Sequence, residues 1–155
     1  MTETLDPSAL AAGMLQAVPF ARTIGVEFVE VRADGPIVQV KVKLPDVPAV
    51  HNHVGGPHAG ALFTLGETAS GAVVLAAFGD QLSRAVPLAV RADIGYAKLA
   101  MGEVSATATL ARPAAEVVAE LDAGQRPEFG VDIEIRRADG AVTATMHVVW
   151  TLRVH

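Results

Sequence analysis

One carboxylate stands apart in this sequence. Glu67 lies inside a 20-residue stretch, residues 59–78, that otherwise holds only apolar, small and hydroxyl side chains. No Lys or Arg occurs between Lys43 and Arg84, so no neighbour in sequence offers it an ion pair. An ionised carboxylate in apolar surroundings costs several kcal/mol unless it is paired or hydrogen-bonded. A perturbed acid with open space beside it is what general acid–base or nucleophilic catalysis requires. The structural alternative is a pair with an Arg from a distant strand or from another subunit.

The segment just ahead of the stretch adds polar groups. His51-Asn52-His53-Val54-Gly55-Gly56-Pro57-His58-Ala59-Gly60 leads into the start of a helix. There, free N–H groups and the helix dipole favour negative charge, so small residues make a ready oxyanion site. At 100° per residue, Leu62, Leu65, Ala69, Val73 and Ala76 fall on one side of that helix. Gly60, Thr64, Glu67, Thr68 and Gly71 fall on another, a small polar stripe with room beside the acid.

Other chemistries have less support. His51, His53 and His58 form a His-x-His cluster near Asp46 and Glu67, but solvated loop histidines explain them more simply than zinc does, so no metal is expected. Ser70 and Ser83 lie in no Gly-x-Ser-x-Gly turn, and Ser70 reads as a packing residue. The chain contains no Cys, which removes thiolate nucleophiles, thiolate metal sites and disulfides. Trp150 and Met146 fit the core.

The elements that would position these groups follow from periodicity. Residues 7–17 predict a short amphipathic helix ended near Pro19. Apolar residues take alternate places in 37–44, 104–110 and 131–136, and over the long run from Val142 to Val154. Such alternation marks antiparallel strands with one wet face. Residues 25–32 and 88–99 are further strand candidates, and Asp139-Gly140 reads as a tight hairpin turn. The order is helix, two strands, long helix, four strands. This is an α+β pattern in which a sheet of five or six strands wraps one central helix. No repeat or linker divides residues 1–155, so a single domain is expected.

The net charge of −5, with both signs interleaved, argues against nucleic acid as a partner. The 59–78 stretch is long enough to span a bilayer, yet its central Glu67, its glycines and the alternating segments after it favour a helix buried in protein, with no membrane partner. The opening MTETLDPSAL lacks a signal-peptide pattern, so a cytoplasmic location is the expectation.

With these residues in place, a resemblance becomes specific. Asn52-x5-His58-Ala59-Gly60-x6-Glu67 resembles the active-site pattern of hotdog-fold thioesterases, above all the phenylacetate-pathway acyl-CoA thioesterases. Leu62-Phe63-Thr64-Leu65-Gly66-Glu67-Thr68-Ala69 and Ile94-Gly95-Tyr96-Ala97-Lys98 followed by Gly102 are similar to that family too. The resemblance implies a hotdog fold and hydrolysis of a small-to-medium or aryl acyl-CoA, with coenzyme A as part of the substrate and no separate cofactor. Glu67 would act as nucleophile or general base, the Ala59 N–H would stabilise the oxyanion, and Asn52 would orient water or thioester. His58 would hold the loop and meet the carbonyl. Gly60, Thr64, Thr68, Tyr96 and Lys98 would contact substrate; among Arg91, Lys98, Arg112, Arg136 and Arg137, Lys98 is the favoured phosphate contact. The sites would form across a dimer interface, often within a tetramer. Ala59 departs from the family's usual Gly, and would be strained if its φ had to be positive. The rivals are an acyl-thioester hydratase or dehydratase on the same fold, the latter with His53 or His58 opposite Glu67, and a non-catalytic acyl-CoA binding module.

Overall fold

A computed structural model describes residues 6–155, apart from the Pro7 side chain; residues 1–5, the first half of the MTETLDPSAL opening, fall outside it. The elements run α1 (Pro7–Ala17), α2 (Pro19–Ile24), β1 (Glu27–Arg32), β2 (Gln39–Leu44), α3 (Ala59–Phe78), β3 (Ala85–Tyr96), β4 (Val104–Leu110), α4 (Ala114–Asp122), β5 (Glu128–Arg137) and β6 (Val142–Val154). Short 3-10 turns precede and follow α3.

The six strands form one sheet in the order β1-β2-β4-β5-β6-β3, every pairing antiparallel. The period-two residues supply its inner face: Val40, Val42 and Leu44, then Val104, Ala106 and Ala108, then Val131, Ile133 and Ile135 are buried. Ala144, Met146, Val148, Trp150 and Leu152 continue that face along β6, whereas Val154 is exposed at the strand end. The sheet curls over α3, which packs on β4, β2 and β5 through Leu62, Leu65, Ala69 and Val73. This is the hotdog fold, and the bilayer-length helix is its wrapped core.

Gly66 lies close against the sheet, since a side chain there would run into Met146 Sδ and touch Ile133 and Ile135. It serves packing, not access to Glu67. The hairpin between β5 and β6 forms at Asp139-Gly140, with Gly140 at φ 86° and the Asp139 carboxylate accepting from the Ala141 N–H.

Two helices depart from the expected order. α2 begins at Pro19, read from sequence only as the stop of α1; proline fits a first helical position as readily as it ends a preceding helix. α4 separates β4 from β5 and buries Val117 and Leu121, four residues apart, before Gly124 ends it in the left-handed region. Arg112 anchors α4 through Glu120 at 2.6 Å.

Candidate functional site

The turn ahead of α3 is organised by Asn52. Its side-chain oxygen accepts from the Val54 and Gly56 N–H groups at 3.0 and 3.2 Å, and its amide nitrogen donates to the Pro57 carbonyl at 3.3 Å. Gly55, at φ 77°, lets the chain reverse. Gly56 is buried against the segment after β3: a Cβ there would strike the Ala100 carbonyl and Met101 Sδ. Gly56→Ala should therefore cost about 1–3 kcal/mol as an overpacked contact. Urea unfolding measures this, and an unchanged midpoint would show that the turn does not bear on Ala100.

His58 caps α3. Its Nδ1 accepts from the Gly60 N–H at 2.8 Å, which places the proton of the neutral ring on Nε2. Nε2 is then a donor, suited to a carbonyl oxygen. The Ala59 N–H, at the first helical position, has no acceptor among the described residues, while the Ala59 carbonyl accepts from the Tyr96 hydroxyl at 2.9 Å. Among the described residues no non-glycine residue has positive φ, so Ala59 presents its N–H without backbone strain. Partial desolvation raises the Tyr96 phenol above its usual value.

Glu67 lies two turns further along. Its carboxylate has no hydrogen bond or salt bridge among the described residues, and desolvation raises its pKa above the ordinary value of 4.5. No Arg from a distant strand of this chain reaches it. The polar stripe around it turns inward on the helix instead: the Thr64 hydroxyl donates to the Gly60 carbonyl at 2.9 Å, and Thr68 to the Thr64 carbonyl at 2.6 Å. Ser70 donates to the Glu67 carbonyl at 2.7 Å and accepts from Trp150 Nε1 at 3.2 Å. Thr68 is thus a buried core residue, and these hydroxyls leave the acid unbonded.

The helix start divides the expected residues. Asn52, Ala59, Tyr96 and Lys98 line one groove of about 370 Å³. His58, Gly60 and Thr64 line another of about 490 Å³, with Phe20 and His51. Glu67 and Thr68 line neither. His51 bonds Asp46 at 2.6 Å, and no three His, Asp or Glu side chains converge as metal ligands among the described residues. Of the basic candidates, Arg112, Arg136 and Arg137 are held by Glu120, Glu134 and Asp139, whereas Lys98 and Arg91 have no partner among the described residues. Sequence reasoning missed the Tyr96–Ala59 bond, which depends on strand register and leaves no local signal.

Comparison with other proteins places the chain. A family described as "Domain of unknown function (DUF4442)" matches residues 7–152. The chain belongs to the DUF4442 family. No curated protein sequence matches it significantly. Solved structures share the hotdog fold of this DUF4442 chain. A Pseudomonas aeruginosa protein of unknown function, described as a probable thioesterase, superposes with TM-score 0.82 at 22% identity, over 97% of each chain. A variant of a thioesterase from the same organism gives 0.76 at 19% identity, over 99% of this chain and 97% of that one. A thioesterase family protein from Silicibacter pomeroyi gives 0.72 at 19%, over 97% and 100%. The likeness to the phenylacetate-pathway enzymes rests on the motif residues alone.

Proposed function

We propose that this DUF4442 protein is an acyl-CoA thioesterase whose site is shared between two copies of the chain. The observation that carries the reading is the half-buried, unpaired Glu67 carboxylate on the helix whose first N–H is also unpaired. The names of the structural neighbours point the same way.

Within one chain the two groups stand too far apart to serve one carbonyl. Ala59 and Glu67 are eight residues apart, about 12 Å along the axis, whereas a reacting carbonyl needs both within about 3 Å. A second copy relieves this by bringing its own Ala59 loop to Glu67. The edge of β3, which among the described residues pairs only with β6 and which exposes Val90 and Tyr96, offers a surface for that copy.

In the general-base form, Glu67 takes a proton from water as the water oxygen attacks the thioester carbonyl. The resulting oxyanion accepts from the Ala59 N–H, and His58 Nε2–H donates alongside. The C–S bond then breaks, and Glu67 returns the proton to the departing thiolate. In the nucleophile form, the Glu67 carboxylate attacks the carbonyl carbon and the C–S bond breaks to expel the coenzyme A thiolate, leaving a mixed anhydride. Water then cleaves the anhydride to the free acid and the Glu67 carboxylate, and the proton released goes to the thiolate. Lys98, unpaired beside the groove at Ala59, would meet a phosphate of coenzyme A.

The hydratase pattern needs a histidine a few residues after the acid on the same helix, and the next one after Glu67 is His147. The dehydratase pattern needs a basic histidine opposite the acid: His58 is committed as a cap with its Nε2 a donor, and His53 is exposed in the turn ahead of α3. A free-thiol release assay across short, medium, long and aryl acyl-CoA esters tests the proposal. Release of coenzyme A with at least one of them is expected; hydration of an enoyl-CoA without thiol release would overturn the reading.

A further inference from the structure

An apolar cavity of about 430 Å³ lies between α1, the later turns of α3, the start of β3 and the end of β6. Met14 and Val18 form one wall, Gly71, Val74 and Leu75 a second, and Trp150 a third. The indole N–H there is satisfied by Ser70, and the His155 ring, the other polar side chain of the lining, places Nε2 against the Leu82 carbonyl at 3.3 Å.

The cavity begins where the chemistry ends. Gly71 follows Glu67 by one helical turn and Val74 lies on the same face, about 6 and 10.5 Å further along the axis. Gly71 is the lining residue nearest to Glu67 along the helix. A Cβ there would meet Met14 Cε at 3.5 Å and Trp150 at 3.8 Å, ordinary contacts that packing would accept. Alanine would fit and would favour the helix, so packing does not account for the glycine. Any larger side chain would press on Met14 and Trp150, both of which line the cavity.

We infer that this cavity holds the acyl chain, and that the substrates are thioesters of medium-length hydrocarbon acids without hydroxyl or charged substituents. The inference rests on the thioesterase reading and adds the substrate class. At roughly 30 Å³ per water-sized group, the space holds at most about fourteen methylene-sized groups; being open at one side, it suits a chain of about eight to twelve carbons. A phenolic acyl group would find only the His155 ring as a polar side-chain partner with bonding capacity to spare among these walls, and an unsubstituted chain needs none.

The test is kcat/KM for saturated acyl-CoA esters from acetyl to palmitoyl, with 4-hydroxybenzoyl-CoA, on wild type, Gly71→Leu and Val18→Trp. For wild type, kcat/KM should climb by up to about fourfold per methylene and level off once the cavity is filled. 4-Hydroxybenzoyl-CoA should be at least about tenfold poorer than the best chain. Both variants should cut the decanoyl-to-acetyl ratio by at least about tenfold. A flat chain-length profile, or a ratio that neither variant changes, would overturn the cavity assignment. Titration calorimetry of decanoyl-CoA against Glu67→Gln, with and without Gly71→Leu, separates the two ideas. If no ester releases thiol yet decanoyl-CoA binds and Gly71→Leu abolishes that binding, hydrolysis fails and the cavity assignment stands. If decanoyl-CoA does not bind, the assignment falls whatever the thiol assay shows.

Discussion

Glu67→Gln abolishes thioester hydrolysis by at least about a hundredfold while the fold persists, because the amide keeps the shape and loses the proton-accepting oxygen. The same substitution raises the melting temperature at neutral pH. Burial lifts the folded-state pKa of Glu67 above 4.5, so it is the ionised form that burial penalises. Below the unfolded value the carboxyl is neutral in both states and nothing is lost. As pH rises through the raised folded value, wild type loses stability that the Gln variant keeps. Paired thermal scans should show the variant ahead at pH 7 and level below about pH 4.5. The acid limb of kcat/KM in wild type should likewise lie above the ordinary carboxylate range. Full turnover by the variant would remove Glu67 from the mechanism.

Ala59→Pro is the second substitution with a large expected effect. Proline suits the first position of a helix, and His58, at φ −61° and ψ 142°, already has the extended backbone that a following proline demands. The variant should therefore fold, yet it has no N–H to offer an oxyanion, a loss of about 10²–10³ in kcat. Mixing it with Glu67→Gln tests the shared site. In a mixed dimer, one site pairs Glu67 from one chain with Ala59 from the other and is intact. At equal amounts with free exchange, about a quarter of wild-type activity returns. A site contained in one chain would regain nothing, since every chain carries a defect.

Much of the frame was legible in the residues. The bounds expected for α1 and α3 are those observed, because each has strong punctuation: Asp6 caps the first, and the Pro/Gly/His loop leads into the second. Strand faces followed from strict alternation. α4 escaped because Ala114 to Asp122 is too short for a compelling period, though Val117, Leu121 and Gly124 carried the signal. The isolation of Glu67 was visible in the run without Lys or Arg. What composition could not disclose is how the other polar groups spend their bonds. Asn52 turns to three main-chain groups of its own loop, and Thr64 and Thr68 to carbonyls one turn back, arrangements set by backbone geometry.

Trp150 is the sole tryptophan of the sequence and forms a wall of the apolar cavity. Its indole is tethered to Ser70, itself bonded to the Glu67 main chain, so one chromophore sits between the hydrocarbon chamber and the turn bearing the acid. Its emission should shift to shorter wavelength when a greasy guest displaces water from the chamber. The protein thus carries a built-in optical gauge of occupancy that needs no label and no turnover.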